Sequence, residues 1–386
     1  MDVERARSLA EERLPEFIEV LQAMVNIDCG SYTPAGVNRI ADLCERRFLD
    51  SGWRVERRPH VPADGEALLG DLLIGTLTGS GTSNILMVGH MDTVFDEGTA
   101  AERPFRVEGS IAHGPGVSDM KGGLLTGFFA TEVLRAAGAD GFGSITYVCN
   151  PDEEIGSPFS GSVIRELAPH HDVALVLEGA RENGDIVSSR KGITDYEIVF
   201  RGRAAHSGVE PEKGRNAVLA AAHATVALHE LNGRWPGVTV NVGVARGGTR
   251  TNVVAERCVL HVDLRSPELA TLEEAEREVA RICHVPTVPD LEVEIVANGW
   301  HRPMEKLGDA QRLVDDAITV AAELGLELRD AATGGASDAN TTSSAGTPTI
   351  DGLGPIGGDD HGPAEWLDLD SVAPRVTLLA GIIARQ

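Results

Sequence analysis

The stretch Asn84-Ile-Leu-Met-Val-Gly-His-Met-Asp-Thr93 decides the fold, because an apolar run ends there in a histidine followed by a carboxylate. Continuous apolar runs are typical of buried strands, so Ile85 to Val88 is predicted to be a strand interior. The strand would deliver His90 to the carboxyl edge of an open α/β sheet, where such sheets place their sites. Asp92 would share a face with His90 and accept its second ring N–H. Two interpretations stay open for this segment alone: a metal ligand with its supporting carboxylate, or a hydrogen-bonded histidine in a turn.

Four further segments carry carboxylate or imidazole groups after an apolar or glycine-rich stretch. They place Asp119 before the helix-like Leu124 to Leu134, Glu153 and Glu154 after the strand-like Ser144 to Cys149, Glu178 after Val173 to Leu177, and His361 in a glycine loop. Taken singly, such residues are more often helix caps, solvated turns and surface loops. Together the loops supply two histidines and three carboxylates, with Glu153 left over.

That set of residues is economical for two metal ions. One carboxylate, most simply Asp119, can bridge the ions while each ion takes one histidine and one terminal carboxylate. Nitrogen and oxygen ligands without thiolate favour zinc, with cobalt or manganese as weaker alternatives. If the backbone is extended at 153–154, Glu153 points away from Glu154 and toward a water, which makes Glu153 the expected general base.

The motifs resemble, in order along nearly the whole chain, the dinuclear-zinc peptidase and deacylase family. This family includes glutamate carboxypeptidases, acetylornithine deacetylases, succinyl-diaminopimelate desuccinylases and aminoacylases. The resemblance is carried by Gly89-His-Met-Asp-Thr93, Gly114-Pro-Gly-Val-Ser-Asp-Met-Lys-Gly-Gly123, Asp152-Glu-Glu-Ile-Gly-Ser157, Glu178, Ala204-Ala-His-Ser-Gly208 and His361. The segment Pro104-Phe-Arg-Val-Glu-Gly109 looks most like the glutamate carboxypeptidase branch.

The resemblance also implies roles for individual residues. It implies that His90, Asp119 and Glu178 hold one zinc ion, and that Asp119, Glu154 and His361 hold the other. It implies Glu153 as the base, Asp92 as the support of His90, and a cis peptide between Asp119 and Met120.

The sequence pattern changes near residue 188. Before it, apolar strands alternate with helical stretches, as in a mostly parallel sheet covered by helices. From Ile193 to Val296 the element order β-α-β-β-α-β predicts a ferredoxin-like unit. After Pro303 the remaining motifs return to the first domain. We therefore predict an α/β catalytic metal-binding domain of residues 1–187 and 304–386, with residues 188–303 inserted as an α+β domain. The resemblance implies that this insertion is a lid that forms the dimer interface.

The inserted domain carries candidate substrate-binding residues. His206 lies in a glycine-flanked turn, where it is either a solvated histidine or a donor to a developing oxyanion. The resemblance implies that His206 reaches the partner subunit's zinc site, and that Arg265 holds the substrate's carboxylate with help from Asn252 and Arg203. A planar guanidinium fork suits a carboxylate. The loop 333–340, with Gly335, is expected to close the pocket, although Ala336 stands where many relatives have a third glycine.

The composition of the chain limits the cellular locations and the binding partners that we expect. A formal charge of −25 and a pI near 4.8 exclude nucleic acid and anionic membranes as expected partners. The five cysteines form no C-x-x-C pair, which fits reduced thiols. The acidic start lacks an apolar leader, and no apolar run reaches the roughly 20 residues that span a bilayer. We predict a cytoplasmic protein.

The sequence therefore predicts a two-zinc amidohydrolase that releases an amino acid with a free α-carboxylate, like a glutamate carboxypeptidase. A deacylase of N-acyl amino acids is the alternative among enzymes, because the sequence does not show which side of the amide is recognised. An inactive, metal-retaining binding or scaffold protein is the alternative of another class, against which the intact Glu153 argues. The expected partners are a small peptide or N-acyl amino acid and a second copy of the chain.

Overall fold

The structure is a computed structural model. It describes residues 1–285 and 287–386, and it describes the side chains of all of these except residues 298–300. The helices are α1 (Val3–Glu12), α2 (Leu14–Val25), α3 (Pro34–Asp50), α4 (Thr99–Glu102), α5 (Gly123–Ala136), α6 (Ser160–Leu167), α7 (Ala217–His229), α8 (Leu269–His284), α9 (Asp309–Glu323), α10 (Asp338–Ser344) and α11 (Val372–Arg385).

The strands are β1 (Arg54–Arg58), β2 (Leu72–Thr78), β3 (Asn84–His90), β4 (Arg106–Glu108), β5 (Ile111–His113), β6 (Ser144–Asn150), β7 (Val173–Val176), β8 (Ile186–Arg190), β9 (Gly192–Arg201), β10 (Thr239–Gly247), β11 (Arg257–Ser266), β12 (Glu292–His301), β13 (Asp330–Thr333), β14 (Thr349–Ile350), β15 (Gly357–Gly358) and β16 (Trp366–Asp368). No helix among the described residues is long and apolar enough to cross a membrane.

The chain forms two compact units. The first contains residues 1–189, 306–333 and 337–386, and the second contains residues 190–305 and 334–336. We name them the catalytic unit and the lid unit after the domains predicted from the sequence. The predicted boundaries after residues 187 and 303 lie within two residues of these. The exception is Gly334–Ala336, which groups with the lid unit because Arg190 and Arg265 donate hydrogen bonds to its carbonyl oxygens.

The catalytic unit is built on a sheet of strand order β1-β2-β6-β3-β7-β14. Strands β6, β3, β7 and β14 run parallel, whereas β2 is antiparallel to its neighbours β1 and β6. Residues 85–88 of the central strand β3 are fully buried, as their apolar run predicts. The core joins these strands to apolar residues of α2, α3, α5 and α11. The predicted α/β class with a mostly parallel sheet is confirmed.

The lid unit has a sheet of strand order β10-β11-β9-β12, antiparallel throughout. Alternate residues of β11, from Cys258 to Leu264, point into a core that they share with α7 and α8. Strand β9 begins one residue before the predicted start at Ile193, and β12 runs on to His301, five residues beyond the predicted end at Val296. The element order and sheet order are those of a ferredoxin-like unit.

A small sheet of order β15-β16-β5-β4 in the catalytic unit has no counterpart among the predicted elements. Trp366 of β16 pairs with His113 of β5. This register places the segment after His361 beside the segment that leads to Asp119. Two distant candidate ligand loops therefore meet at this sheet.

Candidate metal centre

His90 ends β3, the strand between β6 and β7, and its side chain is 1% exposed. Its Nδ1 lies 3.0 Å from the backbone oxygen of Asp92 and 3.4 Å from the Asp92 carboxylate. The nearest partner of Nδ1 is therefore the Asp92 carbonyl rather than the expected Asp92 carboxylate. A proton on Nδ1 leaves Nε2 free to bind a metal. Nε2 points at Asp119 Oδ1, 3.0 Å away, and at Glu178 Oε1, 3.8 Å away.

Asp119 lies between the two candidate histidine ligands. Its Oδ1 is 3.0 Å from Nε2 of His90, and its Oδ2 is 3.0 Å from Nε2 of His361. The two oxygens of one carboxylate thus face two different imidazoles, as a bridging ligand requires. The peptide bond between Asp119 and Met120 is cis, as the resemblance implies.

Glu153 and Glu154 lie in a tight 3₁₀ turn, Glu153–Ile155, so the expectation of an extended backbone there is wrong. The turn forms because the Asp92 carboxylate accepts the backbone N–H groups of Glu153 and Glu154, at 3.1 and 3.2 Å. Ser31 Oγ also donates to this carboxylate, at 2.6 Å. Asp92 therefore organises the glutamate pair as well as the segment of His90.

The two glutamates face different parts of the cluster. Glu154 Oε2 lies 3.1 Å from Nε2 of His361. Ligand atoms of His90, Asp119 and Glu154 lie within 4.8 Å of one another, and so do those of His90, Glu153 and Glu178. The structure thus brings the five predicted metal ligands, the predicted base and Asp92 together in the catalytic unit.

Burial and mutual charge perturb the acidic groups of this cluster. Burial, with repulsion from Glu178, raises the pKa of Glu153 well above its usual value. Burial likewise raises the pKa of Glu178 to about 7 and, less strongly, that of Glu154. Burial also acts to raise the pKa of Asp119, but the hydrogen bonds and charges of His361 and His90 outweigh it and lower that pKa.

Neighbouring carboxylates raise the pKa of both candidate histidine ligands. Hydrogen bonds to Asp119 and Glu154 raise the pKa of His361 to about 11. Burial opposes a charge on His90, yet Glu178, Asp119 and Asp92 raise its pKa well above the usual value. The imidazoles and the carboxylates therefore stabilise one another's charged forms.

The donor set fits divalent metal ions. All its atoms are imidazole nitrogens and carboxylate oxygens, the ligands typical of zinc, manganese and cobalt sites. Glu154 Oε1 is a buried atom for which the described residues provide no hydrogen-bond partner. A buried carboxylate oxygen without a donor is costly, and a bound cation would satisfy it.

In the lid unit, His206 is exposed and its backbone is fixed by a bridge to Val253. The backbone N–H of Gly208 donates to its Nδ1 at 3.2 Å, so the neutral ring carries its proton on Nε2. Asn252 lies beside it, its carbonyl accepting the N–H of Ser207 at 3.1 Å. This arrangement presents the Nε2–H of His206 as a hydrogen-bond donor.

Arg265 is part of a separate contact network in the lid unit. Its Nε donates to both oxygens of Asp263 at 3.0 Å, and one terminal nitrogen donates to Gly334 O at 2.9 Å. Gly335, next in the loop, accepts a bond of 3.1 Å from Arg190. Arg203 is exposed and exchanges backbone hydrogen bonds with Arg215.

The sequence interpretation missed Glu365, whose side chain contacts the Asp119 loop. Glu365 is 1% exposed and accepts hydrogen bonds from the backbone N–H groups of Gly116, Ser118 and Asp119. Burial raises its pKa to about 7, although these donors act to lower it. The only signal in the sequence is an acidic residue four positions after His361, between Ala364 and Trp366.

An α/β unit that brings imidazoles and carboxylates together, in a chain with an α+β insertion, is the arrangement expected of a metallohydrolase. The model of the peptidase family M20/M25/M40 matches residues 86–385, and the chain belongs to this family. It is thus a member of a family of metal-dependent peptidases and amidohydrolases.

Individual relatives agree with this assignment. The chain is 29% identical to carboxypeptidase G2 of Pseudomonas sp. (strain RS-16) over 381 residues, which covers 97% of this chain and 90% of that one. It is 29% identical to acetylornithine deacetylase of Proteus mirabilis over 284 residues, covering 68% and 70%. The crystal structure of aminopeptidase PepT from Bacillus cereus superposes with a TM-score of 0.81 at 24% identity, covering 96% and 98%, which shows the shared fold.

Proposed function

We propose that the protein is a dinuclear zinc hydrolase of the carboxypeptidase type, which releases a C-terminal amino acid with a free α-carboxylate. The observation that carries this proposal is the position of Asp119, with each oxygen 3.0 Å from a different imidazole. His90 and Glu178 complete one metal position, and Glu154 and His361 complete the other. When bound, the ions would supply the Lewis acidity that activates water and polarises the scissile carbonyl.

Glu153 moves the proton in this proposal. Its buried carboxylate accepts a proton from the attacking water as the water oxygen bonds to the carbonyl carbon. It then donates this proton to the amide nitrogen as the C–N bond breaks. Its position supports this role, because its carboxylate oxygen lies within 4.8 Å of ligand atoms of His90 and Glu178, beside one proposed metal position.

The lid residues are proposed to bind the substrate. Arg265 would receive the α-carboxylate, since its guanidinium is already oriented by Asp263. Asn252, Arg203 and Gly335 would contribute further contacts, and the Nε2–H of His206 would stabilise the developing oxyanion.

We further propose a homodimer formed through the lid unit, in which His206 serves the site of the partner subunit. In the part of the chain that the structure describes, β10 and β12 are the edges of the lid sheet and are available for pairing. A cytoplasmic location completes the proposal, supported by five cysteines that are all buried free thiols.

The relatives favour a carboxypeptidase over a deacylase. The likeness to carboxypeptidase G2 spans 97% of the chain, whereas that to acetylornithine deacetylase spans 68% at the same identity. An inactive scaffold is disfavoured because Glu153 keeps a carboxylate within 4.8 Å of the Glu178 carboxylate, a repulsive arrangement that a protein without this chemistry would not need.

A hydrolysis screen with zinc or cobalt tests the proposal. It compares α- and γ-glutamyl, N-acetyl, N-succinyl and dipeptide amides, each with a free α-carboxylate. We expect the fastest turnover for substrates that release a C-terminal amino acid from a peptide or related amide. Preference for N-acetyl substrates would favour the deacylase, and metal-loaded protein inert toward all substrates would favour the scaffold.

A further inference from the structure

The side chain of Glu365 forms a clasp on the loop that carries Asp119. Its Oε2 accepts the N–H of Gly116 at 2.8 Å, and its Oε1 accepts those of Ser118 at 2.8 Å and Asp119 at 3.0 Å. Glu365 is buried and belongs to neither the ligand set nor the proposed proton path.

The Asp119 loop depends on an acceptor from outside. It forms a helical turn, Val117–Gly122, that leads into α5, and the first N–H groups of such a turn have no acceptor within it. Asp119 itself has non-helical backbone angles, φ −112° and ψ 95°. Gly116, at φ 72°, turns its N–H toward the same carboxylate, and a Cβ there would lie 2.5 Å from Thr93 Cγ2. Glu365 is therefore the group that satisfies three buried donors of this loop.

The same residue is tied to the loop of the second histidine. It lies four residues after His361 and directly precedes β16. Pairing of β16 with β5 fixes its backbone, and its carbonyl oxygen lies 3.2 Å from Nδ1 of His113. Glu365 thus joins the loops of Asp119 and His361, although 246 positions separate Glu365 from Asp119 in the chain.

We propose that Glu365 is a positioning residue of the metal centre, which sets the distance between Asp119 and His361. The proposal rests on the dinuclear function proposed above. In the metal position formed by Asp119, Glu154 and His361, two ligands, Asp119 and His361, lie on loops that Glu365 holds. In the position formed by His90, Asp119 and Glu178, only Asp119 lies on such a loop. Loss of the clasp should therefore weaken the two ions unequally.

Glu365→Gln is the variant of choice because it keeps the size of the side chain. Its amide has one oxygen, so an NH₂ group must face at least one of the three backbone N–H donors. Glu132→Gln is the matched control in the same unit, since Glu132 is a partly buried carboxylate that accepts from Arg47 and Ser51. Glu154→Gln and Glu178→Gln identify which position loses its ion.

The measurement is a titration of metal-free protein with zinc against a chelator, which gives a dissociation constant for each ion, alongside the melting curve of the metal-free form. For Glu365→Gln we expect a loss of about 10–100-fold in affinity at one position, as for other groups that orient ligands. The weakened position should be that weakened by Glu154→Gln, and the cobalt absorption spectrum of the remaining ion should match that of Glu154→Gln. Glu132→Gln should retain both affinities.

Unchanged affinities in folded Glu365→Gln, or a loss like that of Glu178→Gln, would overturn the proposal. If Glu365→Gln does not fold, Glu365→Asp, which keeps the charge but shortens the reach, undergoes the same titration with the same two outcomes. A wild-type protein that saturates with one ion would refute the dinuclear function itself, whereas two ions with an unaffected Glu365→Gln would refute only the positioning role.

Discussion

The two sets of candidate functional residues differ in how the protein holds them. In the catalytic unit, His90 and Asp92 are 1% and 0% exposed and sit in a network of short hydrogen bonds. In the lid unit, His206, Asn252 and Arg203 are exposed and are fixed mainly through their backbones. The first set is preorganised and largely shielded from solvent, except for His361, whose side chain is 55% exposed, and the second is open to solvent.

This difference indicates different tasks. Buried carboxylates repel one another and bind protons until a cation replaces them, so the catalytic cluster is suited to an ion. Exposed donors gain strength only when a ligand removes water from them. We therefore propose that the catalytic unit performs the chemistry and that the lid unit recognises the substrate.

The largest expected effect comes from the buried cluster. Glu153→Gln removes the proton acceptor but keeps the shape of the side chain, so kcat should fall by about 10²–10⁴-fold while both metals stay bound. Glu154→Gln, the matched control in the same turn, should instead lose affinity for one metal. The two variants are compared by steady-state kinetics and elemental analysis, and a reversed pattern would exchange their roles.

Removing the metal ions should lower the stability of the folded protein. An ion at about 1,000 times its Kd stabilises the folded state by about 4 kcal/mol. Chelation should therefore lower the melting temperature of the wild-type protein, measured by calorimetry. Asp119→Ala, which lacks the bridging carboxylate, should show little further change on chelation. If neither zinc nor chelator changes the melting temperature of the wild-type protein, bound metal does not stabilise the fold.

A smaller effect is expected for the arginine of the lid. A hydrogen bond between charged groups contributes about 1.5–3 kcal/mol, so Arg265→Ala should raise KM for a substrate with a free α-carboxylate by about 10–100-fold. The control is Arg257→Ala, an exposed arginine of the same strand. The ratio of rates for the acid and its methyl ester is the readout, and an unchanged ratio would remove Arg265 from substrate binding.

The smallest effect is expected for the residue that holds Asp92. Ser31→Ala removes the 2.6 Å hydrogen bond to this buried carboxylate. Asp92 keeps its two backbone donors, so we expect the lower end of the range for a bond to a charged group, about 1.5 kcal/mol, and a fall in kcat/KM of about 10-fold with metal content unchanged. Ser80→Ala, an exposed serine of the same unit, serves as control. A loss as large as that of Glu153→Gln would show that Asp92 does more than position the glutamate turn.

The sequence predicted those features that have a local physical signature. The apolar run from Ile85 to Val88 predicted a buried strand. The polar residues at the strand ends predicted the cluster of candidate metal ligands. Strands β4, β5, β15 and β16 are two or three residues long and carry no usable periodicity. The contacts of Glu365 and the turn at Glu153 could not be predicted from the sequence either, because their hydrogen-bond partners come from distant segments of the chain.

The bridging role of Asp119 is the central claim, and counting the metal ions tests it most directly. Elemental analysis of protein saturated with zinc and freed of excess should give two ions per chain, and Asp119→Ala should lose both. A wild-type count that stays at one under saturating zinc, or an Asp119→Ala variant that retains two, would contradict the account.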